Sequence, residues 1–262
     1  MIATATTIID TLLARAVVYR ALSLGFQTPT AGRLREMGVE DGLSAVCAAL
    51  ALLERESPGQ ELSRLGAQLL AVVPATVDDA LPRFVHLFGH TARGLVTACE
   101  TEYGPENVFN QPQQLADLAG YYLAFGLEPA SASEARVDHI ACELEFMDFL
   151  SRKQALWLAN PSIEGADAET IEATEEAERT FLRDHLGRFG RAFATRVVAE
   201  DRDGHFGALG RLLLTFLDAE CARVGVEAGP VDLLVRPDVP DDTPMACGSS
   251  EEQLIQIQRP GR

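Results

Sequence analysis

The stretch Ile140-Ala-Cys-Glu-Leu-Glu-Phe-Met-Asp-Phe-Leu150 carries apolar side chains around most of a helical circumference. A helix of that kind is stable only with other helices packed around it, so this segment is expected at the centre of a bundle. The helix is expected to begin near Ser133, where Ser133 to Arg136 precedes the apolar run, and to continue to about Leu158, before Asn160 and Pro161. Upstream, Gln113 to Phe125 reads as a helix stopped by Gly126, whose missing Cβ permits a left-handed cap. Tyr103 to Pro112, with Gly104, Pro105, Asn107 and Asn110, reads as a loop.

Helical periodicity also dominates the rest of the chain. Ile9, Leu12, Leu13, Ala16 and Val17 trace a stripe over residues 6–24, with Pro29 just beyond it. Gly42 to Arg55 is rich in Ala and Leu and is broken by Pro58 and Gly59. Glu61 to Val72 ends at Pro74, and a fourth helix is expected from Val77 to Cys99 with Pro82 near its start. Glu164 to Glu178 holds seven acidic residues and no basic one, and is expected to form a solvated helix face. Arg179, Arg183, Arg188, Arg191 and Arg196 follow, a charge order that complements the helix dipole. A last helix covers Phe206 to Val224, and Gly204, Gly207 and Gly210 are expected to open it and let it pack closely. The result is one all-α domain, residues 1–225, a helical bundle of about eight or nine helices. Residues 226–262 form a Pro- and Asp-rich C-terminal extension, expected to be extended and loosely held, with brief apolar and polar alternation only around Val231 to Val235.

Composition narrows the function. The chain has 262 residues and a net charge of -17, and its 22 basic residues are 21 Arg and the single Lys153. That balance argues against a nucleic-acid partner, whose phosphates call for a basic surface. It also excludes a phosphate-binding loop, since no Gly-Lys-Ser/Thr occurs. Met1 to Asp10 has no positive charge ahead of an apolar run, and the strongest apolar stretch, Leu43 to Leu53, is too short to span a membrane. A cytoplasmic protein without a membrane span is expected. The five cysteines, Cys47, Cys99, Cys142, Cys221 and Cys247, show no C-x-x-C spacing and read as reduced thiols, four of them in apolar helical patterns.

Catalytic signatures are scarce. There is no Gly-x-Ser-x-Gly, no His-Glu-x-x-His and no Glu-x-x-His. His86 and His90 share a helical face but no carboxylate or Cys joins them within that turn. Asp138-His139 followed by Glu143 is more informative: His139 and Glu143 would be neighbours on a helix, with Asp138 in its first turn. A hydrogen-bonded histidine tying two helices together is the simplest account of that motif. A polar patch within a peptide-binding surface is the functional one.

Four ordered blocks then carry a resemblance: Phe84-Val-His-Leu-Phe88; Glu100-Thr-Glu-Tyr103; Leu115-Ala-Asp-Leu-Ala-Gly-Tyr-Tyr-Leu-Ala-Phe-Gly126; and Asp138-His-Ile-Ala-Cys-Glu-Leu-Glu-Phe-Met147. Together with Tyr19 to Phe26 and Pro29, over about residues 8 to 220, the sequence resembles the TorD/DmsD/NarJ-type chaperones of molybdenum enzyme maturation. The resemblance implies an all-helical, non-enzymatic cytoplasmic chaperone with no catalytic residue, metal or cofactor of its own. Its partner would be the apo catalytic subunit of a molybdoenzyme. The chaperone would bind that subunit's N-terminal or twin-arginine leader region and assist molybdenum cofactor insertion before export or assembly, as a monomer or swapped homodimer.

Carried over block by block, the peptide-binding residues are Phe84, Leu87, Phe88, Glu100, Thr101, Tyr103, Asp138, His139 and Glu143. Phe84 stands where the family often has Tyr or Trp, and Thr101 where it has Ser. The chemistry is compatible, because a leader that joins arginines to an apolar segment calls for an apolar groove bordered by carboxylates. Phe84, Leu87 and Phe88 have the spacing of groove anchors, although a core stripe has it too. Glu100, Glu102 and Asp138 could pair with guanidinium groups, and the negative net charge would steer a cationic leader inward. The competing expectation is a small all-α metal-dependent hydrolase using His86, His90 and His139; a third is an adaptor with no link to molybdenum.

Overall fold

A computed structural model of the chain describes residues 5–41, 43–56, 59, 61–89, 94–105, 110–128, 136–163 and 165–236. Among them the α-helices are α1 (Ala5–Gly25), α2 (Ala31–Glu36), α3 (Ser44–Glu56), α4 (Leu62–Val72), α5 (Val77–Phe88), α6 (Gln111–Ala124), α7 (Ile140–Ala159), α8 (Ala168–Phe181), α9 (Gly187–Glu200) and α10 (His205–Val224). A π-helical turn, Leu182–Leu186, joins α8 to α9 without a break. The all-α fold class is borne out.

As expected, α7 is central. It buries residues on every side, from Ile140 and Leu144 through Phe146, Met147 and Leu150 to Trp157. Each fully buried Leu or Phe of this kind contributes about 1.5–3 kcal/mol. The helix packs antiparallel to α1, where the Ser23 hydroxyl donates to the carbonyl of Ala141 at 2.9 Å and Arg20 pairs with Glu145 at 2.6 Å. The hairpin of α9 and α10 is the second pillar. Its glycines act as the sequence suggested: Gly204 caps α10, and a Cβ on Gly210 would meet the Ala194 carbonyl and the Val198 side chain at 3.0 Å. That close approach is why small residues recur there.

Several expected boundaries move. The fourth helix stops at Phe88, because Gly89 turns with φ of 81°, and residues 97–99 are extended instead of helical. Cys99 therefore lies outside any helix, in an antiparallel bridge with His139. Helix α7 starts at Ile140 and not near Ser133, so Asp138 lies ahead of the helix and His139 is its N-cap. The short α2, capped by Thr30, was not anticipated. Residues 226–236 are tied down, not loosely held: Gly229 N donates to the Gly187 carbonyl at 2.9 Å and Arg236 N to the Glu102 carbonyl at 2.8 Å. Residues 237–262, including Cys247, lie outside the described residues, as does His90.

The acidic helix face is solvated at Glu175 and Glu176 but not at Glu178, which is buried. Glu178 belongs to an interior ionic cluster that joins α1, α7, α8 and α10. Arg15 pairs with both Glu178 and Glu220, Arg223 reaches the same two carboxylates at 2.7 and 3.1 Å, and Tyr19 donates to Glu220 at 2.9 Å. Gln154 completes it by donating to Glu178 at 3.2 Å. Burial opposes the Glu220 charge, but Arg15 and Arg223 outweigh it and hold the carboxyl down at about 2. Two arginines against two glutamates leave no net buried charge, the condition under which such a cluster is tolerated.

Candidate functional site

The polar family-motif residues converge on one knot where segment 98–104, whose Glu100–Glu102 form a 3-10 turn, meets residues 138–140 and 234–236. Segment 98–104 lies between residues 138–140 and 234–236. On one side Glu100 N donates to the Asp138 carbonyl and Ile140 N to the Ala98 carbonyl, both at 2.8 Å. On the other, Tyr103 bridges to Val235 in antiparallel register.

Asp138 is fully buried and saturated. One carboxylate oxygen accepts from the backbone N–H of Thr101 at 3.1 Å, from its hydroxyl at 2.6 Å and from Arg136 at 2.8 Å; the other accepts from Arg136 Nε at 3.0 Å. Arg136 also reaches Glu102 at 3.1 Å, and Gln111 donates to the Thr101 hydroxyl at 2.9 Å. A second pair lies beside the first. The buried Glu100 carboxylate holds His185 Nδ1 at 3.1 Å and Arg188 at 3.0 and 3.2 Å. His185 is brought there by the π turn, which inserts an extra residue per turn and re-aims the side chain. Its Nε2 lies 3.4 Å from the exposed carboxylate of Asp117 without a hydrogen bond.

Glu143 is the anomaly. It is fully buried in the first turn of α7, and neither carboxyl oxygen has a hydrogen-bond partner. Burial pushes its pKa well above the usual carboxylate range, with Glu100 and Asp138 adding to the effect and Arg188 opposing it. Its surroundings therefore favour the protonated form. His139 accepts from Ala141 N through Nδ1 at 3.1 Å, and burial pushes its pKa down to about 4. It is a neutral cap, not a partner for Glu143 one turn along a helix.

The apolar residues assemble elsewhere, and inward. Phe84 and Phe88 stack in an aromatic cluster with Phe26, Phe193 and Phe206, with ring centroids 5.1 to 6.3 Å apart, while Leu87 is fully buried. Phe84, Leu87, Thr101, Tyr103, Asp138 and Glu143 are thus interior side chains, and the groove they were expected to line is filled by the protein itself. The reason is that the i, i+3, i+4 spacing of a groove is also that of a core stripe. The carboxylates expected to receive guanidinium groups already hold the chain's own: Asp138 and Glu102 hold Arg136, and Glu100 holds Arg188. What faces solvent is the rim, chiefly Arg136, Glu102, Arg188 and Asp117, with side chains from 25 to 63% exposed.

Arg136, His185 and Arg188 were not singled out for the site from sequence. His185 and Arg188 lie 85 and 88 residues from the carboxylate they serve, so no motif spacing flags them, whereas Arg136 stands only 2 residues before Asp138 and is within reach of a local motif. Among the described residues no three His, Cys, Asp or Glu side chains come together as metal ligands, and His86 is exposed. The arrangement that the hydrolase alternative needs is not found there. No helix among the described residues is long and apolar enough to cross a membrane.

Among the described residues the chain is thus a helical bundle whose polar motif residues form a buried carboxylate and arginine knot. The nitrate reductase delta subunit family matches residues 56–195, just over half of the chain and the whole span from Phe84 to Arg188, and the protein belongs to that family. It is 33% identical over 112 residues to the perchlorate reductase assembly chaperone protein of Dechloromonas aromatica (strain RCB), covering 42% of this chain and 46% of that one. It is 29% identical over 170 residues to the dimethyl sulfide dehydrogenase assembly chaperone protein of Rhodovulum sulfidophilum, covering 60% and 64%. Both matches thus span less than two thirds of the relatives' length. No solved structure matches the chain.

Proposed function

We propose that the protein is a cytoplasmic, system-specific assembly chaperone for the catalytic subunit of a molybdoenzyme. It binds that subunit's N-terminal or twin-arginine leader region and keeps it from export or docking while the molybdenum cofactor is inserted. The observation that carries this reading is the family match, which encloses the Glu100, Asp138 and His185 knot. The assembly-chaperone names of both relatives support the same role.

The physical part of each motif residue follows from its placement. Asp138, Thr101 and Glu100 lie inside and act as positioning residues that fix segment 98–104, with Glu143 buried nearby. The client meets the rim that they hold in place, where the exposed Asp117 offers a carboxylate to a cationic segment. The test is capture of the tagged full chain from its native cell while a molybdoenzyme is being expressed, followed by identification of bound subunits. The expected result is an apo catalytic subunit that is retained only with its N-terminal segment intact. Absence of any molybdoenzyme subunit from the captured material would overturn the reading.

A further inference from the structure

Three buried carboxyl groups meet at the start of α7, and the chain supplies hydrogen-bond donors to two of them. Asp138 accepts from Arg136 and from both donors of Thr101, and Glu100 holds His185 and Arg188. The third, Glu143, is fully buried, and neither of its oxygens has a hydrogen-bond partner. A buried carboxyl without a donor carries a charge only at high cost, whereas its protonated form can stay. Charged and titratable groups act on it from several elements: Glu100 and the Cys99 thiol from residues 98–101, Asp138 and Cys142 from its own stretch of chain, Arg188 from α9 and the Tyr122 phenol from α6. Burial pushes both thiols and the phenol up, the Cys142 thiol to about 11, so near neutral pH the carboxylates and Arg188 set the field. Glu100 and Asp138 are also where residues 98–101 attach to the start of α7. Glu100 N donates to the Asp138 carbonyl and Ile140 N to the Ala98 carbonyl, each at 2.8 Å, and Thr101 donates twice to the Asp138 carboxylate. A negative charge on Glu143 therefore works against that attachment. The α7 side is fixed, since Ser23 donates to the Ala141 carbonyl and Ile140 and Leu144 are fully buried.

We propose that Glu143 is a proton-held latch: with its proton in place residues 98–101 lie against the start of α7, and when they lift, Glu143 meets water and gives that proton to the solvent. The closed form thus binds one proton more than the open one. Above about 4.5, where a solvated glutamate is ionised, each further pH unit favours the open form by up to about tenfold, until Glu143 titrates in the closed form as well. Falling pH fastens the latch and rising pH loosens it. The device accounts for an acid without a partner inside a knot whose other two acids are paired. Glu102 follows residues 98–101 directly in the chain, so the latch governs whether that part of the solvent-facing rim is in place. The inference stands on the knot itself and needs no client.

The test is amide hydrogen exchange of the full chain, followed by NMR over the pH range between the titration of its exposed carboxyls and that of Glu143, and corrected for base catalysis of exchange. The amide of Leu213, in the core of α10, marks global unfolding. The amides of Glu100, Thr101 and Ile140 are expected to exchange through an opening that leaves Leu213 protected. Their protection should fall by up to about tenfold per pH unit, and Glu143→Gln should remove that slope. Exchange of the three amides only together with Leu213, or a slope that survives in Glu143→Gln, overturns the proposal. The carboxyl carbon resonance of Glu143 in the native chain gives a reading that needs no variant. It is expected to titrate at higher pH than the exposed carboxyls, and titration alongside them overturns the proposal equally. Neither result bears on the chaperone reading, which the capture experiment tests.

Discussion

Replacing Asp138 by alanine removes the acceptor of four hydrogen bonds at the junction of segment 98–104 with α7. The Thr101 N–H is buried and would lose its partner, which costs about 1–3 kcal/mol. The Thr101 hydroxyl keeps Arg136 and Gln111 as neighbours, so its loss is smaller. Arg136 loses a bidentate partner, but its side chain is 43% exposed and it retains Glu102, so solvent offsets most of that term. The net expectation is about 3 kcal/mol. For a protein of this size that corresponds to a melting temperature about 6–12 °C lower by calorimetry. Asp138→Asn, which can still accept from Thr101, should lose roughly half as much. Because Thr101 and Asp138 share one contact, the losses from Thr101→Val and Asp138→Ala should add to more than the double variant shows. A change below about 0.5 kcal/mol in Asp138→Ala, the range of an ordinary surface substitution, would refute the assignment of Asp138 as the pin of this junction.

Two other expectations follow from the buried charges. Glu143 holds its proton in the folded state above the pH where the unfolded chain releases it, so its contribution to stability falls as pH rises beyond about 4.5. Glu143→Gln should gain on the native protein as pH rises above about 4.5, by at most about 1.4 kcal/mol per pH unit, measured by urea unfolding. Parallel profiles for the two proteins would show that Glu143 is not the proton holder. Arg15→Met leaves Glu178 and Glu220 with Arg223 alone and should cost about 3–5 kcal/mol at pH 7. Glu220 titrates at about 2 when folded, so its stabilisation is complete above about 4.5 and lost between there and 2. The acid limb of the native stability curve should therefore be steeper than that of Arg15→Met, and equal slopes would count against this pairing.

Local signals were enough for much of the bundle. The breakers Pro29, Pro58, Pro74 and Gly126 bracket α1, α3, α4 and α6 to within a few residues, because a missing N–H or a left-handed turn is decided within the chain itself. The errors fall where distant partners decide. Leu95 to Cys99 fits a helical stripe as well as a strand, and only pairing with residues 138–140 makes it extended. The same pairing pulls the start of α7 back to Ile140. Glu178 looked like one more solvated acid because its arginines lie far away, at Arg15 and Arg223. For the site, the motif blocks did select residues that assemble, Glu100, Thr101, Asp138 and Glu143. A list of acids does not reveal that the molecule provides its own arginines, Arg136 and Arg188, to Asp138 and Glu100.

That last point bears on how such a protein can be specific. A carboxylate left open for a client's guanidinium would attract any cation, and with a net charge of -17 the whole surface already does so. Filling the inner carboxylates with Arg136 and Arg188 removes that indiscriminate attraction and turns the acids into a rigid frame. In the proposed chaperone role, selection would then fall to the solvent-facing rim of Arg136, Glu102, Arg188 and Asp117. A rigid support lets binding energy go into the contact itself instead of into ordering the receptor. It also predicts where divergence within the family would change partner choice: at the exposed rim, Glu102 and Asp117, and not at the buried acids, whose replacement would loosen the frame for every client alike.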